Sequence, residues 1–289
     1  MKNLKQIVCI PVATIIMSMG ATQVLAETSM ESGSTRVVED TLVLKDPTVS
    51  ASGKWVFGAA LEGLYTNGPA KYNVGDQVES GTISGARPGL NLFAGYGDVT
   101  VNYAYRNGNA DTTGLYHYAT ATNPFNYGQT FSSKINENEI TVRWLLRDLS
   151  TTYFTPYLYA GYVDAKYDNT NTITTPGLVW ANNNNSPTLL STNEWKGSML
   201  GIGGIIPLTK DYGFRLDGAL TSTSATYTAS NGGYATGTGL GSRFTGTMYY
   251  NIAQGWNIQA GGRYQYLNGG NAGSNYIAGV FAMIGYSYK

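Results

Sequence analysis

From Lys54 to Tyr288 the chain alternates apolar and polar side chains in ten short runs. Val99, Val101, Tyr103 and Tyr105 form one series, and Thr100, Asn102, Ala104 and Arg106 the other. Another run sets Ile140, Val142, Trp144 and Leu146 against Glu139, Thr141, Arg143 and Arg147. Successive side chains of a strand point to opposite faces, so each run predicts a strand with one apolar and one charged face. A soluble sandwich should not carry arginines on an inner face. A membrane barrel needs the opposite arrangement, apolar outside and polar within. The expected fold is therefore all-β: a transmembrane antiparallel up-and-down β-barrel of ten strands. Eight strands remain the alternative if the weakly patterned second or seventh run is absent.

The expected strands cover about 54–66, 88–96, 98–106, 136–147, 154–167, 194–206, 212–224, 239–252, 256–266 and 275–288. Their connections alternate in length. Short ones fall at 97–98, 148–153, 207–211 and 253–255, and long ones at 67–87, 107–135, 168–193, 225–238 and 267–274. Short periplasmic turns and longer outer loops characterise outer-membrane barrels, and an even count puts both termini on the periplasmic side. The long connections are rich in Asn, Thr, Gly and Ser and read as loops.

The first residues give a basic start at Lys2 and Lys5, an apolar stretch from Ile7 to Met19 and small residues in Val24-Leu25-Ala26. That pattern predicts a signal peptide, 1–26, cut after Ala26. Residues 27–53 lack sustained alternation and read as a periplasmic N-terminal extension, leaving 54–289 for the barrel. Localisation in the outer membrane follows. Cys9 falls in the signal, so the mature chain would lack thiol chemistry.

Composition agrees with a barrel. Only 12% of residues are charged, with 37 Gly and 23 Tyr. Tyrosine suits the membrane–water boundary, where its ring is apolar and its hydroxyl wet. Without Lys2 and Lys5 there are 16 basic and 18 acidic residues, which gives no reason to expect nucleic-acid binding.

The inward series is the main candidate chemistry: Glu62, Asn102, Arg106, Glu139, Arg143, Arg147, Arg215, Asp217, Arg243, Arg263 and Gln265. Charges in a narrow lumen must pair or stay hydrated. They therefore form either a network that fills the barrel or the lining of a narrow pore. With six arginines against three carboxylates, such a pore should prefer anions. Glu137 and Glu139 share a face with Arg143 and Arg147, so pairing is the simpler expectation for them. The only histidine, His117, has Asp111 nearby but no identifiable nucleophile, and no His/Cys cluster or calcium loop suggests a metal or other cofactor.

Three segments carry a family resemblance. Pro156-Tyr157-Leu158-Tyr159-Ala160-Gly161-Tyr162 resembles a mid-barrel strand. Trp256–Tyr266, with its short loop and closing strand, resembles a final hairpin. Tyr286-Ser287-Tyr288 resembles the alternating aromatic end read by the barrel-assembly machinery, although the chain ends in Lys289 rather than an aromatic residue. Together they resemble the small Gram-negative outer-membrane barrels of the opacity-protein and outer-membrane-protein β-barrel type. The resemblance implies an adhesin, membrane stabiliser, host-factor binder or narrow pore. A weaker resemblance, in Glu39-Asp40-Thr41-Leu42-Val43-Leu44, is to the periplasmic box of energy-coupled transporters; a linker or a strand at the barrel mouth is the favoured reading.

The expected function is a non-enzymatic surface protein, structural or adhesive. Binding residues concentrate on loops, so Tyr116, His117, Tyr118, Phe125, Tyr127 and Trp180 are the expected contacts. The alternative is a narrow channel for small, preferably anionic, solutes. Expected partners are outer-membrane lipid, the barrel-assembly machinery through the C-terminal strand, and an extracellular ligand or host surface.

Overall fold

A computed structural model describes residues 46–50, 54–74, 77–120, 123–176, 186–209, 211–253 and 255–288. The expected signal peptide, the 39–44 box and Trp180 lie outside them. Ten antiparallel strands form one closed barrel in sequence order. They are β1 (Trp55–Val74), β2 (Gln77–Tyr96), β3 (Val99–Thr120), β4 (Asn123–Leu145) and β5 (Thr155–Ile173), followed by β6 (Thr188–Pro207), β7 (Tyr212–Ala229), β8 (Tyr234–Ala253), β9 (Trp256–Asn268) and β10 (Ser274–Tyr288). Ten strands are thus present, not eight. β10 closes on β1, with Phe57 opposite Tyr288 and Thr66 opposite Gly279.

The strands are tilted. Stepping from Trp55 across hydrogen-bonded partners reaches Ala278 on β10. The β10–β1 register then continues to Asn67, twelve residues above the start. Such stagger is what closes a sheet with tilted strands.

The outward face explains why these residues form a barrel. Leu61, Leu200, Ile202, Leu220, Phe244 and Val280 are all exposed and would face lipid. Aromatic residues edge this band. At the short-turn end Trp55 stacks on Phe57 at 5.4 Å, and Trp256 meets Tyr286 edge-on at 5.4 Å. At the other end Tyr266 stacks on Tyr276 at 4.6 Å. From Trp55 to Tyr65, strand geometry with a tilt of about 40° gives a band about 25 Å tall. The short turns are tight: Gly97, between β2 and β3, has φ 57, and Gly255, between β8 and β9, has φ 89. Those left-handed conformations favour glycine.

The strands run well beyond the expected ends on the long-connection side. β3 and β4 pair continuously from Val99–Trp144 to Thr120–Asn123. Most of 107–135, expected as a loop, is therefore strand in the β3–β4 hairpin, and 67–87 is strand in the β1–β2 hairpin; the two hairpins are paired to each other from Ser84–Asp111 to Gln77–Tyr118. On the upper part of these strands the buried face carries polar residues too, such as Gln129 and Ser133 beside exposed Thr130 and Ser132, so the apolar–polar alternation fades while the backbone ladder continues. Thr and Tyr also favour strands. Tyr116, His117, Tyr118, Phe125 and Tyr127 consequently sit on β3 and β4, with Tyr116 opposite Tyr127 and Tyr118 opposite Phe125. Asp111 and His117 are six residues apart on one strand, or about 20 Å, too far for an acid–base pair.

Candidate functional site

The lumen is filled in layers. The middle layer is ionic. Arg106 on β3 contacts three carboxylates: Glu62 at 2.9 Å, Glu137 at 2.8 Å and Glu139 at 3.1 Å. Glu137 also takes Arg87 at 3.3 Å and Arg263 at 2.9 Å, while Glu139 takes Arg243 at 2.6 Å. Asn91 donates to Glu62 at 2.5 Å, and Gln265 accepts from Arg263 Nε at 3.1 Å. All of these side chains are buried.

Glu137 and Glu139 therefore pair with arginines of β2, β3, β8 and β9, and not with Arg143 of their own strand or with Arg147, which was expected on that strand but lies just past its end in a 3-10 turn (Arg147–Leu149). Same-face residues four apart in a strand are separated by about 13 Å. A ten-stranded wall is narrow enough for Arg243 to reach Glu139 across the lumen. Arg87 and Glu137 belong to this network although the inward series above omits them; their parity on β2 and β4 was the available sign.

Arg143 and Arg147 instead hold a segment outside the strands. Residues 46–50 lie inside the barrel at its short-turn end. Asp46 and Val49 are fully buried, and a turn is closed by Val49 N–H donating to Asp46 O at 3.1 Å. Arg215 Nη1 lies 3.1 Å from Asp46 Oδ2 and donates to Thr48 Oγ1 at 3.2 Å. Arg143 Nη1 donates to Thr48 Oγ1 at 2.9 Å, and Thr100 Oγ1 donates to Thr48 O at 3.0 Å. Arg147 Nη2 donates to Ser50 O at 2.9 Å, and its Nε pairs with Asp98 in the β2–β3 turn. Burial pushes the Asp46 carboxyl up, but Arg215, Arg143 and the Thr48 hydrogen bonds outweigh it and hold it below the usual carboxylate range. Around this segment pack Leu145, Tyr157, Ile205 and Tyr249.

Glycines make room for the tyrosines. A Cβ at Gly203 would lie 2.4 Å from the Tyr157 ring, and one at Gly201 2.5 Å from the Tyr159 ring. Tyr157 so placed donates to Asp217, and its ring receives the Arg143 guanidinium at 5.0 Å. Gly201-Ile202-Gly203-Gly204 is thus a packing device beneath aromatic side chains.

Beyond the ionic layer, toward the long connections, lies an apolar one. Ile135, Tyr167, Trp195, Leu267 and Ile277 form a buried cluster with Ala110, Ala165, Ala225 and Ala272. Between the ionic layer and the 46–50 segment is a cavity of about 100 Å³. Its wall includes five arginines (Arg106, Arg143, Arg215, Arg243, Arg263), three carboxylates (Glu62, Glu139, Asp217), Asn102, Tyr159 and Thr48. Among the described residues no group of three or more His, Cys, Asp or Glu side chains could hold a metal.

The closed antiparallel barrel, outward apolar band and polar interior define an outer-membrane β-barrel. No family model matches the chain, and no curated protein matches it. Solved structures do. The outer-membrane protease OmpT from Escherichia coli is 13% identical, with 84% of this chain and 100% of that chain covered and a TM-score of 0.55. The translocator domain of the autotransporter NalP from Neisseria meningitidis is 12% identical, with coverages of 85% and 92% and a TM-score of 0.43. The likeness to OmpT shows a shared fold and leaves activity open.

Proposed function

We propose that the protein is a non-enzymatic surface barrel that holds its raised hairpins outside the membrane for contact with other molecules. The observation that carries this reading is the layered filling of the lumen: a buried N-terminal segment, a multiply bridged ionic layer and an apolar Trp195 cluster in series. A wall so braced is a stable support, and contact residues concentrate on what projects from it. The β3–β4 hairpin, bearing Tyr116, His117, Tyr118, Phe125 and Tyr127, is the foremost contact element, with the 177–185 connection and its Trp180 as the second. The protease fold of one neighbour does not alter the reading, because the proposed contacts contain no identified nucleophile. The arginine excess of the central cavity favours a narrow anion channel as the second reading.

Two experiments decide between them. Single-channel recording of the refolded chain in a planar bilayer should show no discrete steps; steps with anion preference would establish the channel. Bacteria displaying the protein should lose retention on a glycan array and on epithelial monolayers when 114–129 is replaced by Asn-Gly and 177–185 is removed. Retention that survives both changes would sink the hairpin reading.

A further inference from the structure

We propose that the central cavity binds one small monovalent inorganic anion, chloride in ordinary media. The argument starts from charge. Between the short-turn mouth and the Trp195 layer, the described residues place six arginines, the five of the cavity wall and Arg87, against five carboxylates, the three of the wall with Asp46 and Glu137. Among the described residues one positive charge is therefore in excess inside a wall whose outer face meets lipid. An uncompensated buried charge is costly, and all six guanidiniums keep their protons.

The excess can be placed. Arg143 donates to Thr48 and lies over Tyr157, and among the described residues no carboxylate is within ion-pair reach of it. The Asp46 carboxylate near it is taken by Arg215. Arg263 is 4% exposed, yet its Nη1 has no hydrogen-bond partner among the described residues; the 3.4 Å approach to Glu139 lacks the geometry. The buried Tyr159 hydroxyl is also without a partner there. All three side chains line the same cavity of about 100 Å³. Water would fill that space too, since one water needs about 15 Å³ by this measure. It would not neutralise the charge. Guanidinium and phenol donors around a polar cavity suit an anion, and the single excess charge suits a monovalent one. The inference is independent of what the outer hairpins bind.

The test uses the full chain refolded in detergent with sodium bromide. Crystals measured at the bromine absorption edge should show an anomalous peak in the cavity, in contact with Arg143 or Arg263. No peak, or peaks only outside the cavity, would overturn the proposal. In solution, the thermal midpoint should rise with bromide and not with equal gluconate, because only the small ion enters. Tyr159→Phe, which preserves packing, should weaken the halide dependence several-fold, and Arg143→Gln at least tenfold. Unchanged dependence in Tyr159→Phe would count against the site even if Arg143→Gln fails to fold. Displacement of bromide by inorganic phosphate at equal ionic strength would overturn the monovalent assignment.

Discussion

The lumen contains two ion-paired regions built on different supports. In the middle layer every charged group hangs from a strand of the closed barrel, and Arg106, Glu137 and Glu139 each contact more than one partner. At the mouth, Arg143, Arg147 and Arg215 also hang from strands or their ends, but their partners Asp46, Thr48 and Ser50 belong to a segment outside the sheet. The first region can separate only if the barrel opens. The second can separate by release of a few residues. Similar chemistry therefore serves global stability in one place and local docking in the other.

Glu137→Ala is the sharpest way to break the middle layer. It removes the carboxylate shared by Arg87, Arg106 and Arg263 and leaves those cations crowded in a buried site. Removing one partner of a buried pair costs about 3–5 kcal/mol. The urea midpoint of the micelle-embedded barrel should fall accordingly, with Glu137→Gln less affected because the amide still accepts a hydrogen bond. An unchanged midpoint for Glu137→Ala would show that the network adds little to stability.

At the mouth, Asp46→Asn should cost less, about 1–3 kcal/mol, and should act locally. Hydrogen exchange at Thr48 and Val49 should quicken while exchange in β4 and β9 stays slow; equal quickening everywhere would erase the distinction between the two regions. The acid response sharpens it further. Because the folded Asp46 pKa lies below its ordinary value of 3.8, the contribution of the Asp46–Arg215 pair is present above that ordinary value. It is lost as pH falls through the lower folded value. Protection of residues 46–50 should thus persist at pH 5 and fail only in strongly acidic solution. In Asp46→Asn it should lack that acid step.

Much of this was legible from parity alone. Val101, Ile140 and Leu200 announced the lipid face, and Arg106, Glu139 and Arg243 the inner one, because period two needs only one strand at a time. Pairing was not legible. Whether Glu139 meets Arg143 on its own strand or Arg243 across the lumen depends on the barrel's stagger and width, which are properties of ten strands together. Asp46 gave no sign either, since a buried turn of five residues has no periodicity. The upper hairpins were missed for a related reason. Alternation in the sequence reports a difference in polarity between two faces, and here the buried face itself carries polar or small residues such as Gln129, Ser133 and Ala110, opposite exposed Thr130, Ser132 and Asp111.

The same logic sets the smallest effect on stability. Replacing 114–129 by Asn-Gly joins Thr113 to Thr130, which already face each other, so the register below is kept. The excised stretch also gives up its pairing with β2, from Gln77–Tyr118 to Gly81–Gly114, and Gln129 its pairing with Ile173. Water replaces these bonds and those of the hairpin, and the net contribution of each is about 1 kcal/mol or less before chain entropy is set against it. The barrel's urea midpoint should therefore move by no more than about 1 kcal/mol equivalent, well under the Glu137→Ala effect. A loss as large as that of Glu137→Ala would mean that the hairpin is part of the barrel's folding core, and the division between a braced support and a projecting contact element would fail.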